Sequence, residues 1–323
     1  ILQEERPYAI PVDAAYGVLF GVLGATFLLT VAGLFMKKGS GLQGVLRPTD
    51  DFLSARNRYA WPTLALSFFA SGMGAWVIYG SPEMGAIRTT SWWGVLGYSS
   101  ASAAGGWTLM WLGPIVKRKV GEDQGFSAVD FALKRYGRLM QLLVMGVSTF
   151  YMFIYVVAEL TTIANVYATF VGKSTVGTDS EHYTTKISSI VVIFTWAYTA
   201  LAGLPASILT DKFQGVVIFS FVIILLVAAT TLKSNEISKD EFDEGTGWFS
   251  KGFEAFVTLW IAIAAAELFN QGTWQRVFAA RSDKDMRIGF AVGAFFAMVV
   301  MLFFGVMGMI AYSRDRVSYD TYQ

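Results

Sequence analysis

The chain has 323 residues, 54% hydrophobic and only 15% charged, where a soluble domain carries roughly a quarter charged residues, so lipid is the solvent for most of it. Lys and Arg number 25 against 24 Asp and Glu, a balance that excludes a global field for recruiting nucleic acid. The lack of cysteine and the single histidine, His182, exclude disulfides, thiolate chemistry and the usual zinc, copper or haem ligand sets.

A hydrocarbon core about 30 Å thick takes roughly 20 apolar residues in a helix, and such stretches recur about eight times, over 14–36, 60–81, 92–116, 139–170, 187–204, 206–232, 252–272 and 287–312. The first carries Gly17-x-x-x-Gly21, a pattern that lets helices approach closely. After it, Gly39-x-Gly41-x-x-Gly44 matches dinucleotide-site spacing, but it follows a membrane span and Lys37-Lys38 rather than a strand, and reads as a linker. Segment 117–138 mixes Phe126, Val129, Phe131, Leu133 and Tyr136 with charges, as an amphipathic helix at the membrane surface does. The turn between the fifth and sixth spans is very short, and the acidic stretch 232–252 reads as a solvated loop. With the amino terminus outside, clusters such as Lys117-Arg118-Lys119 and Lys134-Arg135 fall inside together with well over half of the 25 basic residues. The positive-inside rule therefore predicts an external amino terminus, in a plasma membrane or a bacterial inner membrane.

Two spans break the apolar pattern. The second contains Ala70-Ser71-Gly72-Met73-Gly74-Ala75-Trp76, followed by Gly80-Ser81-Pro82-Glu83. The seventh runs into Glu267-Leu268-Phe269-Asn270-Gln271-Gly272-Thr273-Trp274-Gln275-Arg276. Backbone groups freed at mid-depth cost several kcal/mol in hydrocarbon. Paired interruptions in corresponding spans therefore point to a transporter site built from discontinuous helices. Close packing at Gly72 and Gly74 is the structural alternative.

At these residues the sequence resembles the sodium:solute symporter family, which includes sodium-glucose, sodium-proline and urea symporters. The likeness rests on Asp51-Phe52-Leu53-Ser54-Ala55-Arg56-Asn57, on 66–76, on Tyr198-Thr199-Ala200-Leu201-Ala202-Gly203-Leu204-Pro205-Ala206 continuing to Thr210-Asp211-Lys212-Phe213-Gln214, and on Asn270-Gln271 with Trp274-Gln275-Arg276 and Ala279-Ala280. The resemblance implies an all-α polytopic membrane protein of LeuT-type inverted-repeat fold. It would form one transmembrane transporter domain over 1–323, with a leading helix at 14–36, a first five-helix repeat over 60–232 and the start of a second over 252–312. The second repeat is then incomplete, and the eighth core helix, which supplies Ser and Thr to sodium in the family, is expected to lie beyond the chain. Gly72 and Gly74 replace the aspartate and serine of the sodium-proline branch, which puts the burden of cation binding on carbonyls.

The resemblance further implies a secondary-active symporter, in which sodium influx drives uptake of a small polar organic solute such as an amino acid, urea, an amine or a sugar. Sodium would sit on the backbone carbonyls of Ala70 and Met73, which one unwound turn can present to a hard cation. Asp211, preceded by Thr210, corresponds to an acid linked to coupling, or it snorkels and pairs with Lys212 or another basic neighbour. For the solute, Asn270, Gln271 and Thr273 offer neutral donors and acceptors, with Trp76, Tyr79 and Trp274 as walls or as plain packing. Glu159 and Glu267 lie in apolar stretches, where a charge needs a partner or a function. Either could recognise an amine, carry a proton or bond a neighbouring helix, and Glu267 ranks higher because it lies one turn before Asn270. Proton coupling, as in the urea branch, and a sensor module of a signalling receptor are the other readings. An enzyme is disfavoured, since no nucleophile-base pairing is evident.

Overall fold

The computed structural model describes residues 10–35, 52–121, 125, 127–172, 178–231 and 237–315. They form α1 (Val12–Phe35), α2 (Trp61–Gly72), α3 (Trp76–Ala86), α4 (Ser91–Gly121), α5 (Ala128–Tyr136), α6 (Arg138–Phe170), α7 (Thr178–Thr231), α8 (Lys239–Gly245), α9 (Ser250–Leu268), α10 (Gln271–Ala279) and α11 (Asp283–Asp315). Among the described residues, five helical stretches are long and apolar enough to cross a membrane, and up to seven if each of two bent helix pairs is one span. The stretch expected at 92–116 forms the 31-residue α4. Its serines bond carbonyls of their own helix, Ser99 to Val95 at 2.6 Å and Ser100 to Leu96 at 2.6 Å, so their hydroxyls are satisfied without water. Apolar side chains point outward along the other long helices: Leu139 is 84% exposed, Trp196 71% and Phe150 69%. That inverts a soluble protein and identifies an integral membrane protein.

The chain divides into two compact units. In the first, residues 1–55 and 153–210, the Ile10 N–H meets the Phe170 carbonyl at 2.8 Å. Tyr16 lies against Tyr167 and Tyr183, with the Lys186 ammonium 5.3 Å from its ring centroid. The very short turn expected between the fifth and sixth spans is a bend inside α7 at Gly203, with φ 62° and ψ −152°. A Cβ there would run into the Phe52 carbonyl, so both backbone conformation and space require glycine.

In the second unit, residues 56–152 and 211–323, α4 is the central helix. Helices α9 and α11 pack along it, and α11 also covers α2 and α3. Leu64, Phe68, Leu109, Val277, Phe278, Met286 and Phe290 fill the interior. α3 and α11 meet backbone to backbone, since a Cβ on Gly308 would collide with Pro82 and one on Gly85 with Gly305. Lipid tails are as apolar as leucine, so such close contact is what holds membrane helices together. Where the chain leads into α2 and leaves α10, Asn57, Arg58 and Tyr59 donate backbone N–H groups to Phe278 and Ala279, and Arg281 returns one to Tyr59. Tyr59 and Ala280 form a parallel β-bridge.

Several expectations change in detail. The stretch Gly80-Ser81-Pro82-Glu83 is helical, inside α3. The seventh span breaks at Phe269-Asn270 rather than Gly272, which lies in the first turn of α10, because Asn270 caps that helix by accepting the Thr273 N–H. The described part of the stretch 232–252, from residue 237 on, is not merely a solvated loop. Ser238 and Glu241 form a reciprocal capping box that starts α8, and Trp248 stacks on Trp92 and meets Trp93 edge-on. In 117–138 the surface helix is α5, started by the Ser127–Asp130 capping box. The glycine-rich linker at 39–44, Asp51, Phe126 and the His182 side chain lie outside the described residues.

Candidate solute and cation site

The first break follows Gly72. Met73 leaves the helix at φ −97°, ψ 68°, donating its N–H to the Ala70 carbonyl at 3.1 Å, and α3 departs at 65° to α2. A helix end leaves its last carbonyls without intrahelical donors, and a carbonyl with one donor keeps a second lone pair. The Ala70 and Met73 carbonyls expected to hold sodium thus belong to a true interruption. Trp76 and Tyr79 follow on α3, 45% and 38% exposed. Trp274 is no wall of an open site: it is buried in the core, its indole N–H donating to Leu268 O at 2.7 Å.

The second break gathers four of the expected residues. Glu267 accepts from the Thr273 hydroxyl at 2.5 Å and from the Asn270 amide at 3.2 Å. Its side chain fits because α4 carries glycine at 105, where a Cβ would meet the Glu267 Cβ and Cγ. Gln271 donates through Nε2 to Ser148 on α6 at 2.9 Å, while its Oε1 is buried without a hydrogen-bond partner. A carboxylate held by two neutral donors has lone pairs left, and the Gln271 oxygen adds another acceptor. Both suit a ligand that brings N–H groups.

Between the two breaks lies a buried ionic network that sequence reasoning missed. Asp211 does not pair with Lys212: its Oδ2 takes the Arg276 guanidinium at 2.7 Å and the Ser67 hydroxyl at 2.5 Å. Arg276 also donates to Ser67 at 2.8 Å and to the Gly272 carbonyl at 2.9 Å. Arg276 is 6% exposed and Asp211 7%. Ser67 lies one turn before Ala70, and Gly272 one turn before Arg276, so the network ties both breaks to α7 at Asp211. The Thr210 hydroxyl returns to Ser207 O at 2.9 Å. Glu159 lies on α6 in the other compact unit. Among the described residues no three or more His, Asp or Glu side chains converge as a metal site.

No protein-family model matches the sequence. Against solved structures, the chain superposes with a TM-score of 0.72 on a Na+-coupled sialic acid symporter in its substrate-bound outward-open state, at 16% identity, over 94% of this chain and 61% of that one. The fold is of the LeuT type. LeuT-type chains build their sites where two helices are interrupted, and this chain interrupts its helices between α2 and α3 and between α9 and α10. Among curated proteins, the spermidine transporter DUR31 of Candida albicans (strain SC5314 / ATCC MYA-2876) is 28% identical over 277 residues, 84% of this chain. The chain spans about half the length of that relative, 50%. Both similar proteins carry solutes rather than transform them.

Proposed function

We propose that the chain belongs to a sodium-coupled secondary transporter of the sodium:solute symporter family that takes up a small organic amine. The observation that carries this is Glu267, set in the α9–α10 break with Thr273 and Asn270 as neutral hydrogen-bond donors. An ammonium group supplies the donors and the positive charge such a cluster accepts. The family motifs, the fold and a spermidine-transporting relative support the same reading.

In this reading sodium lodges at the end of α2 on the Ala70 and Met73 carbonyls and stabilises the outward-open state. Arg276 is a positioning residue. It holds Gly272 from one side and Asp211 with Ser67 from the other, so a cation drawing on Asp211 must loosen the strut that fixes α10 below the solute. That gives sodium and amine a shared mechanical element, which coupling requires. The test is uptake of labelled spermidine, putrescine, urea, proline and glucose into proteoliposomes holding the full-length protein, under a sodium gradient, a proton gradient or neither. Sodium-driven amine accumulation that Glu267→Gln abolishes supports the proposal. Accumulation of a neutral solute alone, or drive by protons alone, overturns the solute or the coupling half of it.

A further inference from the structure

Helix α5 lies in the second unit beside the last turn of α4, at the end that carries the Tyr59–Ala280 bridge. One of its faces packs inward: Ala132 is 4% exposed, and Ala128 and Phe131 lie against the core cluster. Its polar residues are engaged. Asp130 closes the capping box with Ser127, and the Lys134 ammonium reaches the Lys119 and Val120 carbonyls that end α4, both at 3.2 Å. The remaining face of a helix on a wet surface would be polar. Here it is not. Val129, Leu133 and Tyr136 recur at i, i+4 and i+7 and form a second apolar stripe, with Leu133 40% and Tyr136 64% exposed.

Gly137, at φ 85°, ends α5, and α6 begins at the next residue. Leu139 and Leu143 then turn outward, 84% and 59% exposed, so the stripe is followed at once by the apolar surface of a helix long enough to cross a membrane. Basic side chains frame the same corner. Lys119, Arg135 and Arg138 are exposed, and among the described residues no carboxylate pairs with any of them. Segment 117–138 holds six basic residues against Glu122, Asp123 and Asp130. Where a surface helix joins a span, an exposed tyrosine sits at headgroup level, and guanidinium groups take phosphate oxygens by charged hydrogen bonds. A free phosphate would leave the apolar stripe in water, whereas a phospholipid covers stripe and charges together.

We infer that the corner between α5 and α6 is a binding surface for anionic phospholipid, with Arg135 and Arg138 on the headgroups and Val129, Leu133 and Tyr136 among the upper acyl chains. It uses no residue of either helix break and stands apart from the amine reading.

The test places a fluorophore on Leu133→Cys, in full-length protein otherwise free of cysteine, reconstituted into vesicles of phosphatidylcholine and phosphatidylserine. Brominated acyl chains on one lipid or the other quench it on contact and give the local ratio of the two. Each basic residue near an anionic surface is worth about fivefold, so phosphatidylserine should be enriched about tenfold or more. The double variant Arg135→Gln, Arg138→Gln should bring the ratio close to that of the bulk lipid, and molar salt should lower it. Lys239→Gln, Lys251→Gln removes as much charge from α8 and α9 and should leave the ratio unchanged. Quenching by neither lipid overturns the inference, because the stripe is then covered by the rest of the protein or by a second copy. Equal quenching by both lipids overturns it as well, as does an equal loss in the Lys239→Gln, Lys251→Gln variant. Loss of the enrichment to millimolar glycerophosphoserine, the headgroup without its chains, overturns it in favour of an ion site.

Discussion

The guanidinium of Arg276 and the carboxylate of Asp211 meet at 2.7 Å in the interior of the helix bundle, with the Ser67 hydroxyl bonded to both. Two charges taken out of water stabilise each other only as a pair. Losing one partner leaves the other buried and uncompensated, at a cost of about 3–5 kcal/mol, whereas losing both costs far less. Arg276→Gln and Asp211→Asn are each expected to lower the thermal unfolding midpoint of the detergent-solubilised protein strongly, and the double variant to recover most of it. Strictly additive losses would show that the pair is not coupled.

Glu267→Gln keeps the shape and the Thr273 and Asn270 contacts but removes the charge. Amine affinity is expected to fall by about tenfold or more, as for the loss of a charged hydrogen bond. Competition binding with an amine and with a neutral amide of the same size separates this from general damage, because only the amine should suffer.

Gly105→Ala pushes a methyl into the Cβ and Cγ of Glu267. The prediction is weakened solute binding together with a lower unfolding midpoint, since the atoms met are the near end of the Glu267 side chain, which cannot clear the methyl without moving α9 off α4. Wild-type affinity in this variant would mean that Glu267 is not held where it binds solute.

Gly203→Ala meets both a positive φ of 62° and the Phe52 carbonyl. Backbone strain of this kind costs about 1–3 kcal/mol before the clash is counted. A large fall in the unfolding midpoint is expected, whereas Gly146→Ala, in open space on a helix, should be neutral or better.

Lys117 lies just past the apolar part of α4 and donates its ammonium to the Ala280 carbonyl. Burial pushes its pKa down to about 8, against the pull of Asp283 and with the push of Arg56. The unfolded chain then holds more protons than the folded one from about pH 8 to the ordinary lysine range near 10.5, so this group makes stability rise with pH across that window. Thermal melts over that range should show the rise, and Lys117→Gln should flatten it.

The two interruptions were legible because glycine, proline and amide residues have no business in a span that only fills lipid. The bend inside α7 was legible for the same reason, at Gly203 and Pro205. What stayed hidden depends on contacts remote in sequence. Arg276 and Asp211 are 65 residues apart, and a lone arginine after a span looks like any inner-face charge until the fold buries it. Gly105 reads as one more small residue until Glu267 lies over it. Two local signals were present but outweighed by composition: the Ser238-x-x-Glu241 box that starts α8, and Asn270 as the cap that moves the break two residues before Gly272.

The backbone strap at Tyr59 and Ala280 joins the approach to α2 and the exit of α10 by four N–H bonds. Neither half-helix can therefore swing alone without tearing a seam that no side chain replaces. The two behave as one leaf on a common hinge, and whatever opens this end of the helix bundle must turn both or unzip both.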